Sequence, residues 1–169
     1  CRHCPFEHAN VEDRAARISQ PAWLANPPAA TADPVTVLFF SGGKDSLLAL
    51  RRLAAAGRDV VLLTTFDAGE RRVAHQDVGI EDIVKQATHL GLPLLGCPLH
   101  RSSGRAYVDH VAAALELVGA PVRSLAFGDL HLDHIRGWRE DALAHLGFDL
   151  EFPLWHADYG ELAADLAAS

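Results

Sequence analysis

Five short apolar runs, each followed by a segment with helical periodicity, the first four of those segments closed by a glycine, organise the chain from residue 35 onward. The runs are "VTVLFF", "DVVLLTTF", "LPLLGCPL", "VRSLAFG" and "FDLEFPL". They read as continuous apolar runs more than as alternating ones, as strands buried on both faces require. Between them, helical spacing predicts helices over 45–56, from Ile80 to Leu90, from Tyr107 to Val118 and from Ile135 to Leu146, with a last helix over 159–168. Gly57, Gly91, Gly119 and Gly147 follow these helices where left-handed C-caps belong. Strands alternating with helices imply right-handed crossovers and a doubly wound α/β fold with a five-stranded parallel sheet. In such sheets ligands bind beyond the C-terminal strand ends, near the switch in strand order.

The first 34 residues read differently. "SQPAWLANPPAATADP" carries four prolines and little periodicity, which predicts an arm or linker over 1–34, with one short helix in "FEHANVEDRAARI" before it. The nucleotide-scale domain is then 35–169. Cys1 in place of Met, and a helical pattern still running at "ELAADLAAS", give the expectation of a piece of a longer protein.

With 49% apolar and 22% charged residues, 169 residues suffice to bury a core, and disorder is excluded. No apolar run approaches the roughly 18 residues of a membrane-spanning helix. A formal charge of −7 weighs against non-specific contact with nucleic-acid backbones. Three cysteines are too few for a disulfide scaffold, so a reducing cytoplasm is expected.

One segment combines chemistry with position. Ser41-Gly42-Gly43-Lys44-Asp45-Ser46 follows the first parallel strand and opens the first helix. Glycines there let backbone approach a ligand, and free amides at a helix start favour an anion. Two hydroxyls and a lysine complete a phosphate cradle. A Walker motif is excluded, because Leu38 stands where its first glycine belongs and Asp45 where its Ser or Thr belongs. A plain strand-to-helix turn would need only one glycine.

The stretch matches Ser-Gly-Gly-x-Asp-Ser, and by it the chain resembles the PP-loop ATP pyrophosphatases. A second segment, Phe127–Trp155, with Gly128-Asp129, Arg136, Arg139-Glu140 and Pro153-Leu154-Trp155, is similar to the diphthine–ammonia ligase family and its bacterial ATP-binding relatives. The resemblance spans about 35–169. It implies a Rossmann-like adenine nucleotide alpha hydrolase fold of the HUP type. It also implies ATP and Mg²⁺ as cofactors, cleavage between the α and β phosphates, adenylation of a carbonyl or carboxylate acceptor, and an AMP-forming ligase activity using ammonia. Ser41, Gly42, Gly43, Lys44 and Ser46 would hold pyrophosphate, and Asp45 would position the loop or the metal. The family continues past Pro-Leu-Trp into a further substrate motif that this sequence does not reach.

Other residues carry two readings each. Asp67 follows the second strand and either faces the nucleotide or caps "AGERR". His75, in the same loop, is a nucleotide contact by resemblance or a plain loop residue. Asp129 serves as a Mg²⁺ or substrate ligand, as the N-cap of the next helix, or as both. Asp133, Arg136 and Glu140 share one helical face, either solvated or reaching a phosphate or acidic substrate. His131 and His134 form a weak metal pattern. Cys1-x-x-Cys4 with His3 and His8 is half of one. Cys97 is a core residue or a sulfur carrier. Two alternatives follow: a sulfur-transferring, tRNA-modifying PP-loop enzyme, and an ATP-binding module without turnover. A homo-oligomer built through the proline-rich arm is a further expectation, and no membrane partner is expected.

Overall fold

The computed structural model describes residues 19–73, 76–100 and 106–167. Among these residues six strands form one sheet: β1 Ala22–Ala25, β2 Val35–Phe39, β3 Val60–Asp67, β4 Leu94–Leu99, β5 Val122–Ala126 and β6 Asp149–Glu151. The helices described with them are α1 Lys44–Ala55, α2 Ile80–Leu90, α3 Tyr107–Leu115, α4 Asp133–Leu143 and α5 Tyr159–Ala167. A 3₁₀ turn, Ala144–Leu146, extends α4.

The strand order is β1-β4-β3-β2-β5-β6. Strands β2 to β6 pair in parallel, and β1 adds an antiparallel edge. The chain winds outward from β2 through β3 to β4, then returns to place β5 on the other side of β2. The switch in direction therefore lies between β2 and β5, and a crevice opens there at their C-terminal ends.

Side-chain alternation sorts the core into two layers. Leu38, Leu62 and Phe66 pack with Leu48, Ile80 and Ile83 on the α1 and α2 face. Val37, Leu63, Leu95 and Leu125 pack with Val111, Ala114 and Leu143 on the α3 and α4 face. In β2, β3 and β4 successive residues thus meet different helix layers, which is why these strands read as apolar runs; Arg123 of β5 and Asp149 of β6, toward the sheet edge, are exposed. Gly57, Gly91 and Gly147 take positive φ where their helices end, as expected; Gly119 does so too, but α3 stops at Leu115 and not at Val118, and Gly119 closes the turn that follows it.

The sheet has six strands and not the expected five, and its edge is antiparallel. The extra strand comes from the proline-rich segment. Trp23 and Leu24 point to opposite core layers, so four residues suffice to cover the β4 edge. A Cβ on Gly96 of β4 would lie 2.5 Å from Leu24 Cδ1, so the missing side chain makes room for that leucine. Asn26 then donates to the carbonyls of Ala87 and Leu92, tying the strand to the end of α2. Too short for a period and flanked by prolines, this strand is specified by its partner more than by its own pattern. The helix expected before Ser19 lies outside the described residues.

Candidate nucleotide site at the sheet switch

The loop 41–43 leaves β2 and enters α1 at the switch point. Gly43 is the N-cap and offers no side-chain cap, so the first-turn amides of α1 face outward uncapped. Gly42 has φ +76°, and a Cβ there would lie 2.3 Å from Ile83 Cδ1 and 2.9 Å from Gln86 Oε1. Glycine is required both for conformation and for space. Gln86 donates to the Gly42 carbonyl at 3.3 Å, so α2 braces the loop from behind. Ser46 donates to the Gly43 carbonyl at 2.8 Å and lies 3.4 Å from Ser41 Oγ. Lys44 Nζ sits 2.5 Å from Asp45 Oδ1 with its side chain 63% exposed.

The return strand delivers the other wall. A Cβ on Gly128 would meet the Asp45 carbonyl oxygen at 2.9 Å and the Ser46 nitrogen at 3.1 Å. The β5 loop therefore lies directly against the start of α1. Only the absence of a side chain permits that approach. Asp129 follows and accepts from Arg139 of α4 at both oxygens, from Nε at 2.6 Å and Nη2 at 3.3 Å. The Arg139 guanidinium lies 4.3 Å from the Phe127 ring centroid. Phe127 is itself stacked between Phe39 and Phe152. The Asp129 carboxylate is thus a partner of α4 across a loop and not an N-cap; Leu132 occupies that position.

Between these walls lies a cavity of about 660 Å³, within the range of small-ligand sites. Its polar lining gathers at the start of α1: Ser41, Gly43, Asp45 and Ser46, with Gln76 beside Gly43. Apolar and aromatic residues complete it, Phe40 and Val73 from the core layer of α1 and α2, and Tyr107, Phe127 and Trp138 from the side of α3 and α4. Arg139 and Asp129 stand on its wall with Thr65. Tyr107 and Trp138 pack at 5.6 Å with a 50° tilt. Burial pushes the Tyr107 phenol up to about 12, against the pull of Arg139 and a hydrogen bond with Thr65. It is a neutral hydroxyl at physiological pH.

The structure thus unites Ser41, Gly43, Asp45, Ser46, Gly128 and Asp129 around one cavity, with Gly42 packed behind the loop and Lys44 at its rim. Other expected residues sit elsewhere. Asp67 accepts from the Gly69 and Glu70 amides at 2.8 Å each, stabilising the turn after β3, and is outside the cavity lining. Arg136 pairs with Glu140 at 2.7 Å and lies over the Phe152 and Trp155 rings at 4.8 and 4.9 Å. Neither residue of that pair lines the cavity. His131 is hydrogen-bonded to Tyr159 at 2.8 Å. No cluster of three or more metal-ligating side chains occurs among the described residues. His75, Cys1, Cys4, His3 and His8 lie outside them. Cys97 is fully buried in β4, and burial pushes its thiol up to about 12.

Sequence reading named Arg139 only within the family-like segment and did not single out Tyr107, Trp138, Gln76 or Gln86. Tyr107 and Trp138 carried a usable signal, since both sit on helical stripes, but a stripe reads first as core. Gln76 and Gln86 carried none.

Comparison with known proteins bears on the family and the fold. The sequence matches the family model described as the diphthamide synthase N-terminal domain over residues 35–150. A search of curated proteins returned no match. Among solved structures, the chain is similar to a predicted subunit of tRNA methyltransferase from Methanocaldococcus jannaschii. The TM-score is 0.51 and the identity 18%, covering 80% of this chain and 76% of that one. At that identity the likeness concerns the fold: an α/β sheet of the Rossmann-like HUP type. The glycine-built loop after β2, and a family match reaching from β2 into β6, show that the chain belongs to the diphthamide synthase N-terminal domain family of the PP-loop superfamily.

Proposed function

We propose that this domain binds ATP along the switch-point cavity and transfers its AMP moiety to a carboxylate or carbonyl oxygen. The observation that carries the reading is the uncapped start of α1, reached through Gly42 and Gly43 and facing the cavity beside Ser41 and Ser46. Such a start is an anion site of fixed dipoles that need not reorganise when phosphate arrives. The β and γ phosphates lie there, held by backbone amides and the two serine hydroxyls, with Lys44 at the rim.

In the reaction the acceptor oxygen attacks the α-phosphorus. The bond to the α–β bridging oxygen breaks, and pyrophosphate leaves with the bonding electrons. Ammonia then attacks the activated carbon, AMP leaves, and a proton from nitrogen passes to solvent as the amide forms. The loop stabilises the charge that grows on the departing pyrophosphate, and such electrostatic stabilisation dominates phosphoryl and nucleotidyl transfer.

Mg²⁺ takes one or two carboxylates and completes its shell with phosphate oxygens and water. Asp45 and Asp129 are the two carboxylates among the described lining residues, so the donor set fits a metal arriving with the nucleotide. Asp45 would hold it, with Asp129 as a second contact, and the ion would offset phosphate charge.

Sulfur transfer is the weaker reading. A thiol raised to about 12 and shut inside the core is protonated and inaccessible. A tRNA partner, which the fold neighbour's name would suggest, is disfavoured by the −7 charge.

Incubation with ATP, Mg²⁺, ammonium and a panel of carboxylates, followed by phosphorus NMR, tests the chemistry. AMP and pyrophosphate in equal amounts are expected. ADP and phosphate would place the cleavage at the wrong bond and contradict the proposal.

A further inference from the structure

Three cations stand near the cavity, and the structure treats them differently. Lys44 extends into solvent and binds Asp45. Arg136 is turned onto Phe152 and Trp155 and neutralised by Glu140. Arg139 is the only cation among the described residues that line the cavity. It is also the best organised: its side chain is 20% exposed, stacked on Phe127 and bidentate to Asp129. A guanidinium has five N–H donors, and Asp129 takes two of them. The other edge of the fork is left to serve the cavity.

We infer that Arg139 receives the α-phosphate of the nucleotide, and that Asp129 is the positioning residue that fixes its guanidinium. The inference rests on the reading of the cavity as an ATP site and assigns its second half. The PP-loop amides serve the phosphates at the start of α1. Arg139 lies on the Phe127 ring and lines the cavity together with the Tyr107–Trp138 pair, an apolar aromatic surface suited to a nucleoside and not to phosphate. The phosphate that meets Arg139 is therefore the one joined to the nucleoside. Gly128, pressed against the Asp45 and Ser46 backbone, brings the two stations close enough for one triphosphate to bridge them. An arginine suits this place better than a lysine, because its planar fork binds Asp129 on one edge and offers another edge to the oxyanion.

Calorimetric titration of AMP, pyrophosphate and ATP with Mg²⁺ into the wild type, Arg139→Leu, Arg139→Lys and Asp129→Asn tests the division. Arg139→Leu is expected to weaken AMP at least tenfold while leaving pyrophosphate within twofold. Arg139→Lys should recover part of the AMP affinity, and Asp129→Asn should weaken AMP by a smaller factor than Arg139→Leu does. Thermal melts accompany each variant; should Arg139→Leu fail to fold, Arg139→Lys carries the same test, with a smaller loss confined to AMP. Unchanged AMP affinity, or AMP and pyrophosphate falling together in an Arg139 variant that melts like the wild type, overturns the assignment. So does a wild type that takes pyrophosphate but not AMP. A wild type that binds neither pyrophosphate nor ATP overturns the ATP reading itself, and this assignment with it.

Discussion

The two walls of the cavity are built by opposite means. The wall at α1 is backbone: glycines, uncapped amides and short hydroxyls, specified within six consecutive residues. The wall at α4 is side chain: Phe127, Tyr107, Trp138, Asp129 and Arg139, gathered from two helices and the end of β5. A backbone wall depends on space being left empty, and a side-chain wall depends on space being filled. Substitutions should therefore break the two walls in different ways.

The largest expected effect is on the filled wall. Phe127 is buried and touches Phe39, Phe152 and Arg139 at once. Phe127→Ala should cost about 3–5 kcal/mol by the lost ring and the cavity it leaves. Chemical denaturation is the check, and a loss below about 1 kcal/mol, far under the usual cost of a buried ring, would show that this stack carries no weight. Next is the empty wall. Gly128→Ala places a methyl group against the Asp45 and Ser46 backbone, which cannot yield like a flexible side chain. A destabilisation of about 1–3 kcal/mol is expected from overpacking. Pyrophosphate affinity should fall with it, because the displaced atoms belong to the start of α1. Stability lost with pyrophosphate affinity intact would separate the β5 loop from the site.

A third test uses pH. Burial raises the folded pKa of Cys97 from 9.0 to about 12 and of Tyr107 from 10.0 to about 12. Both groups bind their protons more tightly folded than unfolded, so their contribution is fully present below pH 9 and is lost as pH rises toward 12. Stability should decline between those limits, and Cys97→Ala should remove the part that begins near pH 9. A flat profile to pH 12 would contradict the burial of both groups. The smallest effect belongs to the outer face of α4. Arg136→Ala breaks an exposed pair with Glu140 and the contacts with the Phe152 and Trp155 rings, together worth about 1–2 kcal/mol, and should leave ATP affinity within twofold. A tenfold loss would show that Arg136 reaches the ligand.

The same contrast explains what could be read from the sequence. Strands β2 to β6, the helices between them and the PP-loop were legible because each is specified locally, by an apolar run, a helical stripe, a closing glycine or a six-residue motif. The edge strand β1 was not, since Trp23 and Leu24 become a strand only against the β4 edge and the gap at Gly96. That Asp129 stands at the C-terminal edge of the sheet was legible from its place after β5, but its tie to Arg139 was not. Arg136 and Arg139 lie three residues apart on one helix, and only the packing of α4 decides which one turns toward Phe127 and which toward Trp155. Tyr107 and Trp138 sit on stripes that look like core, and they line the cavity because α3 and α4 bring the two rings together at its edge.

Both walls serve a nucleotide only if the loop after β2 is a working pyrophosphate cradle. Calorimetric titration of ATP and of pyrophosphate, each with Mg²⁺, into the wild type and Asp45→Ala tests this without knowledge of the acceptor. The wild type should bind both, and the variant should lose both by at least tenfold while melting like the wild type. A wild type that binds neither ligand, or a variant that binds both as tightly as the wild type, would show that the loop is no such cradle.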